Sequence, residues 1–570
     1  MTPRPHHRKD LLSWAPWLTL LVLLGPILMG LLGTLAPAFG WLPALGHREF
    51  DLTPWRDLFA EAGIARSIQL SVTTGLSATL ISLLLAVLIC AAWQGTGLFS
   101  RIERLLPPLL SVPHAAAAFG LAFLIAPSGW IVRWFSPWAT GWDIPPDVLI
   151  VQDPWGLAMI AGLVVKEVPF LLLMLLAALG QVDATRSRLV AQTLGYGRIM
   201  AWIKGVLPQI YPQIRLPVYA VLAYSMSVVD VAMILGPSTP APLAVKVITW
   251  MNDPDLSLRL RAAAAAVLQF LLVLAALGIW KLGEFGLARL GRHWLETGGR
   301  GQRQALWSGL GLGAITLIVA SLVLGLLGLA LWSVAGLWVF PDALPQHVTL
   351  QSWSRYGPAL GRPLVDTLII AVTVVLLALV LTVACLETEY RHGSRPTTRS
   401  LWLLYLPLLV PQVGFLPGLQ VLFVGIGVNG TLGAVILAHL IFVLPYVFLA
   451  LADPYRAWDP RTGTVAASLG ASANRILWRV RLPMLLTPLL VAAAVGFATS
   501  VGQYLPTLLT GGGRITTLTT EAVALASGGD RRIIGIYALL QMALPFIAFS
   551  LAIAIPACLY HRRLGMRNTL

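Results

Sequence analysis

The chain has few charged side chains and very little cysteine. Asp, Glu, Lys and Arg make up 11% of its 570 residues, whereas about a quarter is usual in a soluble domain. The three cysteines, Cys90, Cys385 and Cys558, lie far apart in apolar runs, which argues against a disulfide framework and a zinc cluster and favours buried small apolar residues. Since 57% of the residues are hydrophobic and the mean hydropathy is +0.80, a disordered or simple soluble protein is excluded.

Sequence patterns of catalysis are also missing. No Gly-x4-Gly-Lys-Ser/Thr motif is present, so the chain has no P-loop to hold ATP. The stretch Gly511-Gly-Gly-Arg514 is rich in glycine, but it contains no lysine and is typical of a loop turn. There is no His-x3-His pair, no triad spacing and no local pair of carboxylates. We therefore expect no catalytic residues, no metal site and no cofactor.

Twelve apolar runs approach or exceed the roughly 20 residues that a transmembrane helix needs. The first run could be a signal peptide, but it is too long and Ala36-Pro37-Ala38 is a poor cleavage site, so we interpret it as a retained anchor. Proline and glycine interrupt or crowd spans three, nine and ten. The predicted spans are 13–36, 68–92, 105–126, 155–181, 214–236, 262–282, 306–338, 364–386, 401–425, 431–452, 487–508 and 533–559.

The positive charge is unevenly distributed between the connections of these spans. One alternating set, which includes both termini, carries 25 of the 39 Lys and Arg residues, whereas the other set carries 12. After the acidic residues are subtracted, the first set has a net charge of +16 and the second has none. The positive-inside rule therefore predicts that both termini are cytoplasmic. The basic character of the chain reflects this topology and does not indicate nucleic-acid binding.

The sequence also repeats itself. Leu194-Gly195 is followed after eleven residues by Leu207-Pro208, and Leu469-Gly470 is followed after eleven residues by Leu482-Pro483, so that both pairs differ by 275 positions. Further matches keep the same order, among them Arg66 with Arg362, Val112-Pro113 with Val410-Pro411, Pro169-Phe170 with Pro445-Tyr446, and Gln269 with Gln541. Because each half contains six spans, both copies have the same orientation in the membrane.

This repeat defines the predicted organisation of the chain. Residues 127–153 form an outer loop that has no long counterpart in the second half. The predicted segments are an N-terminal tail with the first span and an outer loop (1–63), a first transmembrane domain (64–281), a cytoplasmic linker (282–305), the seventh span and its outer loop (306–359), a second transmembrane domain (360–557), and a cytoplasmic tail (558–570).

The repeated segments, residues 183–208 (the first loop) and residues 459–483 (the second loop), carry signals of two short helices each. Asp183 and Asp459 are good N-caps, and Pro460 suits the first helical position. About eleven residues later, Gly195 and Gly470 supply the left-handed conformation that ends a helix. A second short helix then leads to the Leu-Pro pair, where the next span begins.

Small apolar residues surround the predicted bend of each loop. Such a short helix can dock into a groove of another protein, and two copies related by a twofold axis suit a dimeric partner. The alternative is a helix that lies on lipid headgroups. The candidate contact residues are Val190, Ala191, Leu194, Gly195, Leu207 and Pro208 in the first loop, and Val465, Ala466, Leu469, Gly470, Leu482 and Pro483 in the second loop.

Both loops resemble the EAA loop of the permeases of binding-protein-dependent ABC importers. The distance from glycine to Leu-Pro agrees with the family pattern, and Leu-Gly and Leu-Pro occur in both copies. The sequence departs from the pattern where the family has Glu, its first Ala and Ile. The residues there are Leu189 and Thr464, Val190 and Val465, and Gly205 and Val480, respectively. The resemblance covers roughly 64–281 and 360–557 and is similar to the fused two-domain type found in ferric-iron and thiamine uptake.

This resemblance implies an all-α membrane protein of about twelve transmembrane helices, arranged as two parallel six-helix repeats in the type I importer permease fold. It implies a transport subunit that moves a small solute by alternating access across the bacterial inner membrane. The implied partners are two copies of an ABC ATPase subunit, a periplasmic solute-binding protein and membrane lipid. ATP is then hydrolysed by the separate subunit, and Gly195 and Gly470 lie at its contact.

A few polar residues within the predicted spans are candidates for the translocation path, because an isolated charge in the bilayer costs about 3 kcal/mol or more. Lys166 and Glu167 are adjacent in span four, and Asp230 in span five is matched with Gln503. His439 lies in span ten. The alternative for each is pairing between spans or snorkelling to the interface, which is favoured for Asp366 near the outer end of span eight.

Two other functions are compatible with part of this pattern. An ion-gradient-driven 6+6 secondary transporter has the same parity and repeat, although residues 94–104 lack the Asp-Arg-rich signature common between spans two and three of such carriers. A membrane scaffold without transport does not explain the polar residues in the spans. The chemical class of the solute remains open, since cationic, anionic and zwitterionic solutes all fit so few polar residues.

Overall fold

A computed structural model describes residues 11–296, 299–301, 304–393, 398–528 and 530–560. In these ranges all named elements are helical, apart from two isolated β-bridges. Nine helices there are long and apolar enough to cross a membrane, or up to eleven if each of two bent pairs is one span. The all-α membrane class is thus confirmed. Residues 1–10 and 561–570 of the predicted tails lie outside the described residues.

The first part of the chain contains thirteen α-helices and two short 3₁₀ turns. The turns are Leu11–Trp14 and Pro43–Leu45. The helices are α1 (Ala15–Ala38), α2 (Thr53–Ala60), α3 (Ile64–Trp93), α4 (Gly97–Ser111), α5 (His114–Ile125), α6 (Trp130–Phe135), α7 (Leu157–Leu179), α8 (Ala184–Thr193), α9 (Arg198–Gly205), α10 (Leu207–Ser227), α11 (Asp230–Leu235), α12 (Leu243–Met251) and α13 (Leu258–Glu296).

The second part follows a similar order. It includes a π-helical turn, Leu477–Arg481, and a 3₁₀ turn, Leu525–Ser527. The helices are α14 (Gln304–Ser333), α15 (Gln351–His392), α16 (Thr398–Leu409), α17 (Gln412–Gly425), α18 (Leu432–Arg456), α19 (Pro460–Ser468), α20 (Ala473–Ile476), α21 (Leu482–Met484), α22 (Leu486–Val501), α23 (Leu505–Gly511), α24 (Leu518–Ala524) and α25 (Arg531–Leu559).

The predicted spans three and nine are interrupted at their Val-Pro pairs. Helix α4 ends before Val112, which is extended with ψ 123°, and α5 begins after Pro113. Helices α16 and α17 meet in the same way at Val410-Pro411, with a bend of 89°. Proline restricts the residue before it to extended conformations and has no N–H to donate, which is why both breaks occur here. Span ten, in contrast, is the single helix α18.

The predicted span five is a broken helix, which the count of up to eleven apolar spans does not include. Helix α10 ends at Ser227, and the short helix α11 starts at Asp230 after a break. In the second part α22 ends at Val501 and α23 starts at Leu505. The two short helices thus begin 275 positions apart, which pairs Asp230 with Leu505. Gln503, the residue that the sequence matches with Asp230, lies within the break before α23.

The predicted linker is also partly helical. Helix α13 continues to Glu296, well beyond the expected end of span six at residue 282. Its extension is held against α10 by Glu284, which accepts hydrogen bonds from the hydroxyls of Tyr211 (2.7 Å) and Tyr219 (3.0 Å) and pairs with Arg215 (2.9 Å). Hydropathy reports only the apolar part of a helix, so it could not show this polar continuation. Residues 297–298 and 302–303 lie outside the described residues.

The helix that opens each part of the chain packs mainly against the other part. Helix α1 lies along α17, and α14 lies along α5 and α25. Glycines allow this close approach: a Cβ on Gly33 would lie 2.7 Å from the carbonyl oxygen of Gly418, and a Cβ on Gly120 would lie 3.0 Å from the carbonyl carbon of Gly325. Small residues let membrane helices come into backbone contact in this way, so the two crossed helices tie both parts together.

Candidate functional site

The first loop has the predicted helix-turn-helix geometry. The Asp183 carboxylate caps α8 by accepting the Arg186 N–H at 3.1 Å. Gly195 ends the helix with φ +83°, and the N–H of Tyr196 donates to the Ala191 carbonyl at 3.3 Å. This bond satisfies a carbonyl that the helix end leaves free. Helix α9 then follows, and α10 starts at Leu207 beside Pro208.

The second loop repeats this geometry. Asp459 accepts the Arg461 N–H at 2.9 Å, and α19 begins at Pro460. Gly470 has φ +81°, and the N–H of Ala471 donates to the Ala466 carbonyl at 3.1 Å. The predictions for both caps and both left-handed glycines are therefore confirmed. A π-helical turn precedes Leu482-Pro483, whereas the first loop has an α-helix in this part.

The apolar side chains at the two bends point into solvent. Leu194 is 62% exposed and Leu469 is 83% exposed. Val190 and Val465 are exposed as well, whereas Ala191 and Ala466 are only partly so. Leu207 and Leu482 are partly buried, and Pro208 and Pro483 are exposed. Each loop thus presents an apolar surface of a few side chains that no described residue covers.

The first loop is anchored to the end of α3 by Gln94. The Trp202 indole N–H donates to the Gln94 side-chain oxygen at 2.6 Å, while Arg188 (2.8 Å) and Arg198 (2.6 Å) donate to its backbone carbonyl. Trp202 is fully buried. Burial, and secondly the nearby charge of Arg188, lower the pKa of Arg198. The side-chain oxygen of Gln94 thus holds the indole, and its backbone carbonyl holds both guanidinium groups. Neither of these two acceptors is charged.

The second loop is anchored by a buried ionic cluster at the end of α15. Arg481, 1% exposed, pairs with Glu387 and also donates to the Tyr455 hydroxyl at 3.3 Å. The Tyr455 hydroxyl donates to Glu387 at 2.5 Å. The guanidinium lies over the rings of Tyr390 (3.6 Å) and Trp458 (4.3 Å). This cluster fixes the π-helical turn of the loop on the long helix α15.

Part of the linker covers the first loop only. The Gly197 N–H donates to the Arg300 carbonyl at 2.9 Å, and a Cβ on Gly195 would lie 3.4 Å from the Arg300 guanidinium. The Lys204 ammonium donates to the Trp294 carbonyl at 3.1 Å and lies 4.4 Å from its ring centroid. A Cβ on Gly470, by contrast, would have no atom of the described residues within 4 Å.

Lys166 and Glu167 are both buried but have different partners. The Lys166 ammonium donates to the carbonyls of Val112 (2.6 Å), Leu109 (3.1 Å) and Leu110 (3.5 Å) at the end of α4. A cation at a helix C-terminus is favoured by the carbonyls left free there. Glu167 lies 3.5 Å from the imidazole of His114, the first residue of α5. Both residues therefore meet the break at Val112-Pro113.

Asp230 is also buried and opens helix α11. Helix α11 packs against α5 and α7, and the Tyr504 hydroxyl donates to the sulfur of Met233 on α11 at 3.4 Å. Gln503, partly buried, lies in the break between α22 and α23, one residue before Tyr504. Three helix breaks, those between α4 and α5, α10 and α11, and α22 and α23, thus lie near these side chains. Asp230 belongs to the first part of the chain and Tyr504 to the second part.

His439 occupies a separate position. It is 1% exposed, and its two ring nitrogens hydrogen-bond to the hydroxyls of Ser500 (3.0 Å) and Thr507 (2.8 Å). These bonds connect α18 with α22 and α23, so the geometry favours the alternative of pairing between spans. Asp366 lies 3.9 Å from Arg362 on its own helix.

Sequence reasoning missed several residues that hold the site together. Gln94, Glu387 and Arg481 anchor the loops, and His114 and Tyr224 surround the buried carboxylates. The charge of Glu387 directly after an apolar run and Arg481 directly before Leu-Pro were available signals. Nothing in the sequence pairs them, because 94 positions separate the two. Within the described residues no group of three His, Cys, Asp or Glu side chains is arranged to hold a metal ion.

Comparison with known proteins gives a match along the whole chain. No protein-family model matches. The chain is 32% identical over 559 residues to the inner membrane ABC transporter permease protein YnjC of Escherichia coli, which covers 97% of this chain and 98% of that protein. Shorter matches reach the molybdenum transport system permease protein ModB of Mycobacterium tuberculosis (32% identity, 20% of this chain, 47% of ModB) and the spermidine/putrescine permease protein PotC of Haemophilus influenzae (28%, 20% and 44%).

A match of this extent decides between the functions left open by the sequence. The match favours the permease of an ABC importer over an ion-gradient-driven carrier. It also supports the type I importer permease fold. An ATPase and a solute-binding protein are the general partners of such permeases, which are not themselves enzymes. The chain belongs to the permease subunits of ABC importers and is a multi-pass protein of the inner membrane.

Proposed function

We propose that this chain is a fused permease whose two loops dock two copies of an ABC ATPase subunit. The observation that supports this most is the agreement of the two loops: the same cap, a left-handed glycine at +83° and +81°, and an exposed apolar bend in each. Two matched surfaces suit a partner with twofold symmetry. One chain then supplies both docking sites of the importer.

The proposed contact residues are those predicted from the sequence. Leu194 and Leu469 insert into the ATPase, with Val190, Ala191, Val465 and Ala466 beside them, and the two Leu-Pro pairs pass the motion to α10 and to α21. Because α8 and α9 are hydrogen-bonded to the end of α3 through Gln94, displacement of the first loop moves the spans. The second loop acts in the same way through Glu387 and Arg481.

The proposed topology follows from charge. Both loops lie on the positive side of the predicted topology together with both termini, so the termini are cytoplasmic and the loops face the ATPase. The solute-binding protein delivers its solute on the other side, where residues 127–153 include the short helix α6. The exposed apolar side chains of the long helices contact lipid.

We also propose that the translocation path passes the breaks near Lys166, Glu167, Asp230 and Gln503. Lys166 stabilises the broken end of α4, and Asp230 stands where α10 and α11 separate. A helix break offers backbone polar groups to a solute, which an unbroken helix cannot do. His439 supports the path indirectly, by holding α23 against α18. Alternating access then moves these breaks relative to each other.

Docking is tested by purification and crosslinking from native membranes. We expect an ATPase subunit to copurify with the tagged permease in a ratio of two to one. Leu194→Cys and Leu469→Cys should both crosslink to it, whereas Trp138→Cys, which is exposed in the outer connection after α6, should not. Recovery without any ATP-hydrolysing protein, or crosslinks from the loop cysteines to lipid alone, contradicts the proposal.

The path is tested with Asp230→Ala. We expect this variant to assemble with the ATPase but to take up the solute of the copurified binding protein much more slowly than wild type. Asp366→Ala, at a carboxylate of the second part away from the breaks, is the matched control and should retain uptake. Normal uptake by Asp230→Ala at low solute concentration removes Asp230 from the path.

A further inference from the structure

A buried glutamine lies in the last long helix of each part of the chain. Gln269 belongs to α13 and Gln541 belongs to α25, and both side chains are 0% exposed. The two residues also match within the sequence repeat. Because a buried amide without hydrogen bonds is costly, the partners of these side chains indicate what each glutamine does.

In the first part the amide bonds to the broken end of α10. The Gln269 side-chain N–H donates to the Met226 carbonyl at 2.9 Å. Helix α10 ends one residue later, at Ser227, and residues 228–229 form the break that leads to α11 (the first break). The last four carbonyls of a helix have no partner within that helix. The Met226 carbonyl is one of these, and Gln269 satisfies it from a neighbouring helix.

In the second part a threonine hydroxyl stands between the amide and the helix end. The Gln541 side-chain N–H donates to the Thr519 hydroxyl at 2.7 Å, and this hydroxyl donates to the Val501 carbonyl at 2.5 Å. Val501 is the last residue of α22, before residues 502–504 (the second break). It lies 275 positions after Met226, which is also the offset between the two loops. The held carbonyl is therefore the equivalent one in both parts.

The sequence explains why one part uses a threonine and the other does not. The residue 275 positions before Thr519 is Ala244 in α12, which has no hydroxyl. The two positions are also equivalent in the fold, because the N–H of the preceding residue donates to a hydroxyl of α3 in the first part (2.9 Å) and of α15 in the second (3.0 Å). With no hydroxyl between them, the amide of the first part bonds to the carbonyl directly.

Both amide oxygens are left without a partner. The Oε1 atoms of Gln269 and Gln541 are buried and accept no hydrogen bond among the described residues. An unpaired buried oxygen costs stability, and a leucine in the same place would avoid this cost. The glutamine in each part is therefore explained by its N–H groups and by the carbonyl that they hold, rather than by the stability of the helix packing.

The held carbonyl lies at the far end of a helical segment that starts at a docking loop. Helix α10 runs from the first loop to the first break, and α21 and α22 run from the second loop to the second break. A helix end that is bonded to its neighbour stays formed, whereas a free end frays. We propose that Gln269 and Gln541, the latter through Thr519, are positioning residues that couple the movement of the loops to the two breaks of the translocation path.

This inference rests on the proposed docking and path, but the local effect of the bonds can be measured without transport. Amide deuterium exchange is followed by mass spectrometry on the complex of permease and ATPase in nanodiscs. Gln269→Leu should speed exchange several-fold in peptides that cover residues 220–230 and leave those that cover 495–505 unchanged. Thr519→Val should do the reverse, because each variant frees the helix end of its own part only.

Controls separate this effect from a general loss of structure. Thr519→Ser keeps the hydroxyl and should exchange as wild type does. Thr382→Val removes a buried hydroxyl that has no partner among the described residues, so it should change neither break. The unfolding temperature of Gln269→Leu should change little, because the variant loses an unpaired oxygen together with the bond.

Coupling is measured in liposomes that contain the same complex. The purified binding protein is added with the solute with which it copurifies, and imported solute and released phosphate are quantified in parallel. We expect Gln269→Leu and Thr519→Val to raise the number of ATP molecules hydrolysed per solute molecule several-fold. A merely structural role would lower import and hydrolysis together, with the amount of folded complex, and leave this ratio unchanged.

Two outcomes overturn the inference. One is unchanged exchange at both breaks in Gln269→Leu and Thr519→Val. The other is faster exchange with an unchanged ratio of hydrolysis to import, which assigns the bonds to the stability of the helix ends alone. In both cases the ATPase still copurifies and crosslinks to Leu194→Cys and Leu469→Cys if the docking proposal is right, so a failure of the positioning role is distinguished from a failure of the proposed function.

Discussion

The two loops have nearly the same backbone turn but are anchored by different chemistry. In the first loop a neutral glutamine, Gln94, accepts an indole N–H and two guanidinium groups, and part of the linker lies over Gly195. In the second loop Glu387 and Arg481 form a buried ion pair walled by aromatic rings, and Gly470 has open space around it. The turn is therefore independent of the anchor.

This difference separates what a docking surface needs from what holds it in place. The turn depends on a cap, a glycine and a proline within a few residues, and both loops keep these. The anchor has only to connect the loop rigidly to the end of a long helix, which either a hydrogen-bonded amide or an ion pair can do. The anchors should therefore respond differently to substitution, even though the docking surfaces respond alike.

The largest expected effect is in the second anchor. Glu387→Gln leaves the Arg481 guanidinium buried without its counter-charge, which should destabilise the protein by about 3–5 kcal/mol. The measurement is thermal unfolding of the purified permease, together with copurification of the ATPase. The double variant Glu387→Gln/Arg481→Met should recover much of the stability, because the buried Arg481 charge is removed, whereas Arg391, the other partner of Glu387 at 2.8 Å, is less deeply buried. If the single variant unfolds like wild type, the ionic anchor does not hold the loop.

A smaller effect is expected in the first anchor. Gln94→Ala removes the acceptor of the buried Trp202 indole N–H, which should cost about 1–3 kcal/mol. The two arginines keep their bonds, since they donate to the backbone carbonyl of residue 94. Gln181→Ala, at an exposed glutamine, is the control for loss of an amide. If Gln94→Ala destabilises the protein as much as Glu387→Gln does, the two anchors do not differ in strength.

Replacement of either left-handed glycine by valine should destabilise its turn, but by a different amount. Gly470→Val forces a β-branched residue into the left-handed conformation, at a cost of about 1–2 kcal/mol. Gly195→Val should cost more, because the γ-methyl groups of valine extend beyond a Cβ that would already lie 3.4 Å from the Arg300 guanidinium. The checks are thermal unfolding and the rate of ATP hydrolysis by the complex. Gly470→Asn should recover most of the loss, since asparagine tolerates this conformation. Equal stability of Gly470→Val and wild type would contradict the assigned backbone.

The smallest effect concerns the cover over the first loop. Lys204→Met removes the contact of its ammonium with the Trp294 ring, which should cost about 0.5–1 kcal/mol. Arg479→Met is the matched control, because Arg479 lies 275 positions later and is exposed. We expect a slightly lower unfolding temperature for Lys204→Met only, and unchanged crosslinking from Leu469→Cys. A larger loss in the control variant would show that the cover is not specific to the first loop.

The local features of both loops were predictable from the sequence because their causes act over a few residues. A carboxylate caps the helix that follows it, glycine accepts φ near +80°, and proline breaks the helix before it. The Val-Pro breaks follow the same logic. The break within span five was less predictable, since residues 214–236 form one apolar run although the helix ends at Ser227.

The lengths of the two breaks were not predictable either. The break before α11 contains two residues and the break before α23 contains three, and residue types alone do not show how many residues a break contains. The extension of α13 through the predicted linker was missed because hydropathy declines where the helix leaves the apolar region, although the helix does not end there.

The sequence by itself determined the membrane class, the two loops with their caps and turns, and the resemblance to importer permeases, because hydropathy and short-range backbone preferences depend on residues close in the chain. Only the tertiary structure decided that α1 and α14 pack across the two parts, that Lys166 bonds to the carbonyls of α4, and that Tyr504 contacts Met233 of α11. Apolar helix faces are chemically alike, so hydropathy cannot select their partners; backbone contact at small residues and the satisfaction of buried polar groups do so.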